Sequence, residues 1–186
     1  IQDIYLNQDR DTIGNLKVRQ AFMHALDRSA LADALGGGVS MPTAQMFGPL
    51  SPLYDKSLDL LYPHDPAKAK KLLTEAGYPN GFEKEIIVGN AFPYPDLAQH
   101  IQANATKVGI KLNVVTMAYG QVVARHRARN FDMTMSAYYI TVPDADGFVE
   151  QMAFNPDNNP EAKGNAQYPS WRASFFDPYY NEMREK

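Results

Sequence analysis

The strongest constraint on the fold is a set of three short apolar runs separated by helical stretches. The runs lie at residues 85–89, 110–117 and 131–138, and the stretches between them, 96–108 and 119–129, are predicted helices. When a strand, a crossover helix and a second strand belong to one sheet, the two strands pair in parallel. The order therefore predicts an α/β fold with a mixed sheet flanked by helices.

The part of the chain ahead of the first run adds a strand, three helices and a long connection. A strand is predicted at residues 4–6, and Asn15 is placed to cap a helix that starts at the next residue. A second helix is predicted over 29–35, where a run of glycines ends it. Residues 39–64 contain four prolines, which predict a long surface loop. Asp65, followed by a proline, then marks the start of the third helix.

Composition excludes several classes of function. The chain has 186 residues, a formal net charge of −3 and no cysteine. A net acidic chain disfavours a nucleic-acid partner, and Arg125, Arg127 and Arg129 are interpreted as the solvated end of a helix. The absence of cysteine excludes thiolate zinc sites, thiol catalysis and disulfides. No apolar run in the sequence approaches the ~20 residues that span a bilayer.

Both ends of the sequence suggest a piece of a longer protein. It begins at Ile1 without a signal peptide, and the residues that follow already predict a strand. Residues 177–186 predict a helix that is still running at the last position. We therefore expect residues 1–186 to form a single α/β domain that belongs to a larger chain.

The sequence carries no motif for catalysis or for cofactor binding. The four histidines, at positions 24, 64, 100 and 126, are not spaced as metal ligands. The glycines at 36–38 follow a predicted helix instead of opening one, so they do not form a phosphate loop. No serine lies in a nucleophile elbow. We therefore predict no metal, no cofactor and no enzymatic activity.

Candidate binding residues follow the predicted strands. Ligands of parallel sheets bind beyond the carboxyl ends of the strands, which places residues 90–92, 117–119 and 138–146 at one edge. Asp144 and Asp146 could bind a cation or an amine there; the alternative is that one of them caps the next helix. A hydrolase that used both carboxylates would also need a nucleophile or a metal, which the sequence does not supply.

Aromatic residues near this edge are the second candidate group. Tyr138, Tyr139 and Trp171 combine a flat apolar surface with a polar atom, which suits sugars, peptides and other mixed ligands. Packing in a core is the alternative for all three. For Phe175 and Phe176 we favour the core.

Five segments, taken together, resemble the peptide/nickel type (family 5) of extracellular solute-binding proteins. They read KVRQAFMHALDR at 17–28, DPAKAKKLLTEAGY at 65–78, QANATKVGI at 102–110, FD and DADGF within 131–148, and DP at 177–178. The first two are similar to the family patterns VRQAL…AIDR and DPxKAKxLLxEAGY. All five occur in the family's order and cover nearly the whole chain.

The resemblance implies a two-lobed protein of the type II periplasmic-binding-protein fold, with the ligand buried between the lobes. This chain is similar to the second lobe only, entered through a hinge-like strand at residues 3–6, so the first lobe is expected to be missing. The implied role is that of the periplasmic substrate-binding component of an ABC importer. It would deliver a peptide-like or other small solute to the permease subunits. A ligand-sensing module of a regulator or receptor is the alternative on the same fold.

Two departures from the family pattern concern the ligand. Where dipeptide-binding members carry an Asp and an Arg that pair with the ligand's termini, this chain has Thr141 and the arginine-free residues 90–94. An unpaired terminus in a dry cleft costs ~1–3 kcal/mol or more, so a simple dipeptide is disfavoured. The residues predicted to contact the ligand are Asn90, Phe92, Tyr138, Tyr139, Thr141, Asp144, Asp146 and Trp171.

Overall fold

The computed structural model describes residues 2–36, 41–45, 48–49, 51 and 54–137. Within these ranges, one four-stranded sheet is accompanied by six α-helices and a short 3₁₀ helix, Lys56–Leu60. The other elements, in chain order, are β1 (Gln2–Leu6), α1 (Asp11–Gly14), α2 (Leu16–Ala25), α3 (Arg28–Gly36), α4 (Pro66–Glu75), β2 (Phe82–Gly89), α5 (Tyr94–Thr106), β3 (Ile110–Met117), α6 (Tyr119–Arg127) and β4 (Met133–Ala137).

The sheet is mixed, as predicted. Its strand order is β1-β4-β2-β3, and β2 runs parallel to both of its neighbours. At the other side β1 pairs antiparallel with β4, so that Gln2 lies opposite Ala137. The carboxyl ends of β2, β3 and β4 therefore meet at one edge of the sheet, together with the amino end of β1.

Helices cover both faces of the sheet. Ile86 and Val88 of β2 point into the larger core, where α1, α2, α4 and α5 pack. Ile87 points to the opposite face and packs in a smaller cluster with Val122 of α6 and Phe131. Because β2 lies inside the sheet and is buried on both faces, it is apolar at successive positions instead of alternating. No helix in the described part of the chain is long and apolar enough to cross a membrane.

Two predicted helix starts are confirmed in atomic detail. The Asn15 side chain accepts a hydrogen bond from the Lys17 backbone amide at 2.9 Å, at the start of α2. The Asp65 carboxylate accepts one from the Lys68 amide at 2.8 Å, at the start of α4. Each cap satisfies an amide that has no partner inside its helix.

Several element boundaries differ from the prediction, two of them at the candidate binding strands and their helix. Helix α5 begins at Tyr94, whereas the sequence placed its start at Asp96, which instead lies in its first turn. Strand β4 begins at Met133 rather than Phe131, because the carbonyls of Phe131 and Asp132 bond to residues near the end of β1 instead.

The predicted long loop is partly organised around one carboxylate. Asp59 accepts hydrogen bonds from the Thr43 hydroxyl at 2.6 Å and the Gln45 amide at 2.9 Å, and also from the Tyr54 hydroxyl. These bonds, that of Thr43 first, hold the pKa of the Asp59 carboxyl below its ordinary value. The loop thus contains local structure, including the 3₁₀ helix, that periodicity in the sequence does not reveal.

Two of the arginines at the end of α6 make specific contacts that the sequence did not reveal. The Arg125 guanidinium lies 2.5 Å from a carboxylate oxygen of Glu85 and also donates to the Asn130 carbonyl at 2.8 Å. Arg129 pairs with Asp9 at 3.2 Å. Both side chains therefore fasten α6 and the following turn to neighbouring elements.

Asn7 joins the end of β1 to the turn before β4. The residue is 1% exposed, and its side-chain amide donates to the carbonyls of Arg129 at 3.1 Å and Phe131 at 2.8 Å. Its side-chain oxygen accepts from the Asp9 amide at 3.1 Å. One buried side chain thus satisfies polar backbone groups on two segments more than 120 residues apart.

We expect Asn7→Ala to lower the free energy of unfolding by about 2 kcal/mol, because it removes the donor to the Arg129 carbonyl and leaves the Phe131 carbonyl with only its 3.2 Å bond from the Arg10 guanidinium. Asn7→Asp should cost at least as much, since a carboxylate cannot donate to the two carbonyls. Asn90→Ala is the matched control at an exposed asparagine and should change stability by less than about 0.5 kcal/mol. Urea unfolding of the three variants measures these differences. Equal stabilities for Asn7→Ala and Asn90→Ala would contradict the role given to Asn7.

Candidate functional site

The carboxyl ends of β2 and β3 are joined to each other by a backbone hydrogen bond. The Asn90 amide, one residue past β2, donates to the carbonyl of Met117, the last residue of β3, at 3.0 Å. On the other side of β2, strand β4 ends at Ala137. The edge is therefore a set of adjoining strand ends, the place where open α/β sheets bind ligands.

The loop after β2 is held at both ends and presents its side chains to solvent. Asn90, Ala91 and Phe92 are exposed, and the Phe92 side chain is 74% exposed. The loop closes onto α5 through a hydrogen bond from the Tyr94 amide to the Ala91 carbonyl at 3.1 Å. The Tyr94 ring lies against Gly89, where an added Cβ would meet it at 3.5 Å. The backbone of the loop after β2 is thus held in place, and the side chains of Asn90 and Phe92 remain exposed for contact.

Tyr119 is a second exposed aromatic residue at this edge. It is the first residue of α6, two positions after the end of β3, and it is 60% exposed. The sequence placed residues 117–119 at the edge but did not single out Tyr119 as a ligand contact. The available signal was an aromatic residue immediately after a strand, which alone does not distinguish a core residue from a surface one.

The segments that follow β2 and β3 at this edge carry few charged residues. Among residues 89–97 and 117–121 the sequence has a single ionisable acid or base of the Asp, Glu, Lys or Arg type, Asp96. No group of three or more His, Asp or Glu side chains that could hold a metal ion occurs among the described residues. The side chains found here offer apolar contact and neutral hydrogen bonding, which suits binding better than acid–base chemistry.

The structure brings two of the eight predicted contact residues, Asn90 and Phe92, to the edge. The other six lie outside the described residues, namely Tyr138, Tyr139, Thr141, Asp144, Asp146 and Trp171. Tyr138 directly follows Ala137, the last residue of β4, in the sequence. The part that all eight play in ligand binding stays a prediction.

A model of one protein family matches most of the chain. Residues 1–160 match the middle region of the bacterial extracellular solute-binding proteins, family 5. Heme-binding protein A of Haemophilus influenzae is 31% identical, over 96% of this chain and 32% of its own length. The glutathione-binding protein GsiB of Escherichia coli K12 is 36% identical, over 65% of this chain and 23% of its own length. The chain thus spans a third or less of the length of these two relatives.

Solved structures share the fold. A dipeptide-binding protein from a Pseudoalteromonas species, in complex with Met-Leu, superimposes with a TM-score of 0.85 at 26% identity. The match covers 100% of this chain and 37% of that protein. The predicted fold class, a mixed sheet flanked by helices of the type II periplasmic-binding-protein kind, is confirmed.

Proposed function

Because the chain belongs to the family 5 bacterial extracellular solute-binding proteins, we propose that it forms one lobe of the substrate-binding component of an ABC importer. In this proposal residues 1–186 are a single lobe that captures a peptide-like or other small solute outside the cytoplasmic membrane, in the periplasm. The complete protein then delivers the solute to the permease subunits. The observation that carries the proposal is the open sheet edge with Asn90 and Phe92 exposed on it.

The geometry of the edge supports a shared cleft. An edge that leaves Phe92 74% exposed removes little of a solute's surface from water, whereas small-ligand sites enclose most of it. An opposing lobe would supply the second wall, and closure about a hinge would convert capture into a shape that a permease recognises. The chain's span of about a third of its relatives leaves length for such a lobe.

The solute class follows from the relatives and from the edge itself. Two relatives are named for heme and for glutathione, and a structural neighbour holds Met-Leu. Residues 90–94 contain no arginine that could pair with a dipeptide carboxylate. We therefore propose a solute larger than a simple dipeptide, with glutathione, a tetrapeptide and haemin as the first compounds to test. No catalytic residue is assigned.

Isothermal titration calorimetry tests the proposal. The complete two-lobed protein is expected to bind at least one of these compounds with a micromolar or lower Kd. Residues 1–186 alone are expected to bind the same compound weakly or not at all, because half a cleft leaves the solute hydrated. Micromolar binding by residues 1–186 alone would contradict the one-lobe assignment. Failure of the complete protein to bind any solute in a broad screen would contradict the transport role.

A further inference from the structure

Two exposed aromatic residues closely follow, in sequence, the hydrogen bond that joins the ends of β2 and β3. That bond runs from the Asn90 amide to the Met117 carbonyl, and Phe92 and Tyr119 each follow one of these residues by two positions. Phe92 is 74% exposed and Tyr119 is 60% exposed. Loss of water from surfaces of this size is favourable, so the two rings are suited to contact with a partner that is absent here.

The partner that fits is a solute with an apolar portion. Residues 89–97 and 117–121, which carry the two rings, include no Lys or Arg to hold a carboxylate or a phosphate, and Asp96 is the single acid among them. An aromatic face in neutral surroundings contacts aliphatic and aromatic groups without the need to desolvate a charge.

Building on the proposed function, we infer that Phe92 and Tyr119 form an apolar wall of the solute site and select peptides that carry bulky apolar side chains. Asn90, which lies two residues before Phe92 and whose backbone amide bonds to Met117, supplies neutral hydrogen bonding. The backbone that carries the two rings is held by hydrogen bonds, because Phe92 lies in a loop bonded at both ends and Tyr119 begins a helix. Aromatic side chains have only two rotatable angles, so they lose little conformational freedom on binding.

Two tetrapeptides provide the test, Ser-Thr-Ser-Ala and Leu-Met-Leu-Ala. They have the same length and the same charged termini, but they differ in the apolar area of their side chains. The complete protein is expected to bind Leu-Met-Leu-Ala at least ten times more tightly. Phe92→Ala and Tyr119→Ala should each reduce that preference by about tenfold, since truncated aromatic contacts commonly cost this much.

Two further variants separate the ring from other effects. Tyr119→Phe keeps the ring and should keep the preference. Leu16→Ala removes a side chain of comparable exposure, 58%, from α2 and should bind like the wild type. Urea unfolding of each variant should give wild-type stability, because the replaced side chains are exposed.

The outcomes distinguish this inference from the function on which it rests. A preference that survives Tyr119→Ala and Phe92→Ala, or equal binding of the two peptides, would overturn the inference and leave the transport role intact. Binding of glutathione or haemin without either tetrapeptide would overturn it as well, again without harm to the transport role. No binding of any solute would remove both.

Discussion

Replacing Gly81 by alanine is expected to destabilise the fold by roughly 3–5 kcal/mol. Gly81 has φ +76°, a conformation that L-residues adopt only at a cost, and a Cβ built there would lie 1.8 Å from the Gly109 carbonyl oxygen. That oxygen accepts the hydrogen bond from the Phe82 amide at 3.2 Å, where β2 and β3 begin their pairing. The clash is with backbone, so relief requires the two strands to move apart.

Alanine variants of two other glycines separate the cost of the positive φ from the cost of the steric clash. Gly77 also has a positive φ, +90°, but a Cβ there would meet no atom within 4 Å, so Gly77→Ala should cost only about 1–2 kcal/mol. Gly120 lies in α6 in equally open space, and Gly120→Ala should be neutral or stabilise by up to about 1 kcal/mol. Urea unfolding gives the ranking. If Gly81→Ala costs no more than Gly77→Ala, the close approach of the two loops is not as described.

The sequence predicted the elements of this fold better than their arrangement. The strands at residues 85–89 and 110–117 were recognisable because a buried strand is apolar along its length, and the structure confirms both, with β2 starting three residues earlier. The position of β4 between β1 and β2 was not predictable, since strand order depends on contacts between distant segments. The hydrogen bonds of Asn7 illustrate this, because they join residues 122 and 124 positions apart.

The same limit applies to the candidate site. Asn90 and Phe92 could be proposed from sequence, because residues that directly follow parallel strands lie at the ligand-binding edge regardless of how their side chains pack. Tyr119 met the same criterion but was not selected, because whether an aromatic at a helix start is buried is decided by packing between elements. Its 60% exposure is a property of the folded chain alone. The ion pair of Arg125 with Glu85 was missed for the same reason, since 40 residues separate the partners.

Acid is expected to destabilise the fold through His126. The side chain is 5% exposed, and its ring centroid lies 4.7 Å from that of Phe131 and 5.2 Å from that of Tyr5. Burial in these apolar surroundings lowers the pKa of His126 from 6.5 to about 4. The unfolded chain therefore binds one more proton than the folded chain at pH values between these two, and stability falls as pH falls. The contribution is fully present above pH 6.5 and is lost as pH approaches 4, which amounts to roughly 3 kcal/mol.

Comparison of the wild type with His126→Gln isolates this contribution. Glutamine does not titrate, so the difference in unfolding free energy between wild type and variant should shift by roughly 3 kcal/mol toward the variant between pH 7.5 and 4. Phe22→Leu is the control for a general loss of packing, because Phe22 is buried in the larger core and contributes no titrating group. The loss of unfolding free energy caused by Phe22→Leu should be the same at pH 7.5 and at pH 4. If the stability curves of wild type and His126→Gln run parallel across this interval, the pKa of His126 is the same in the folded and unfolded chain, which contradicts the prediction.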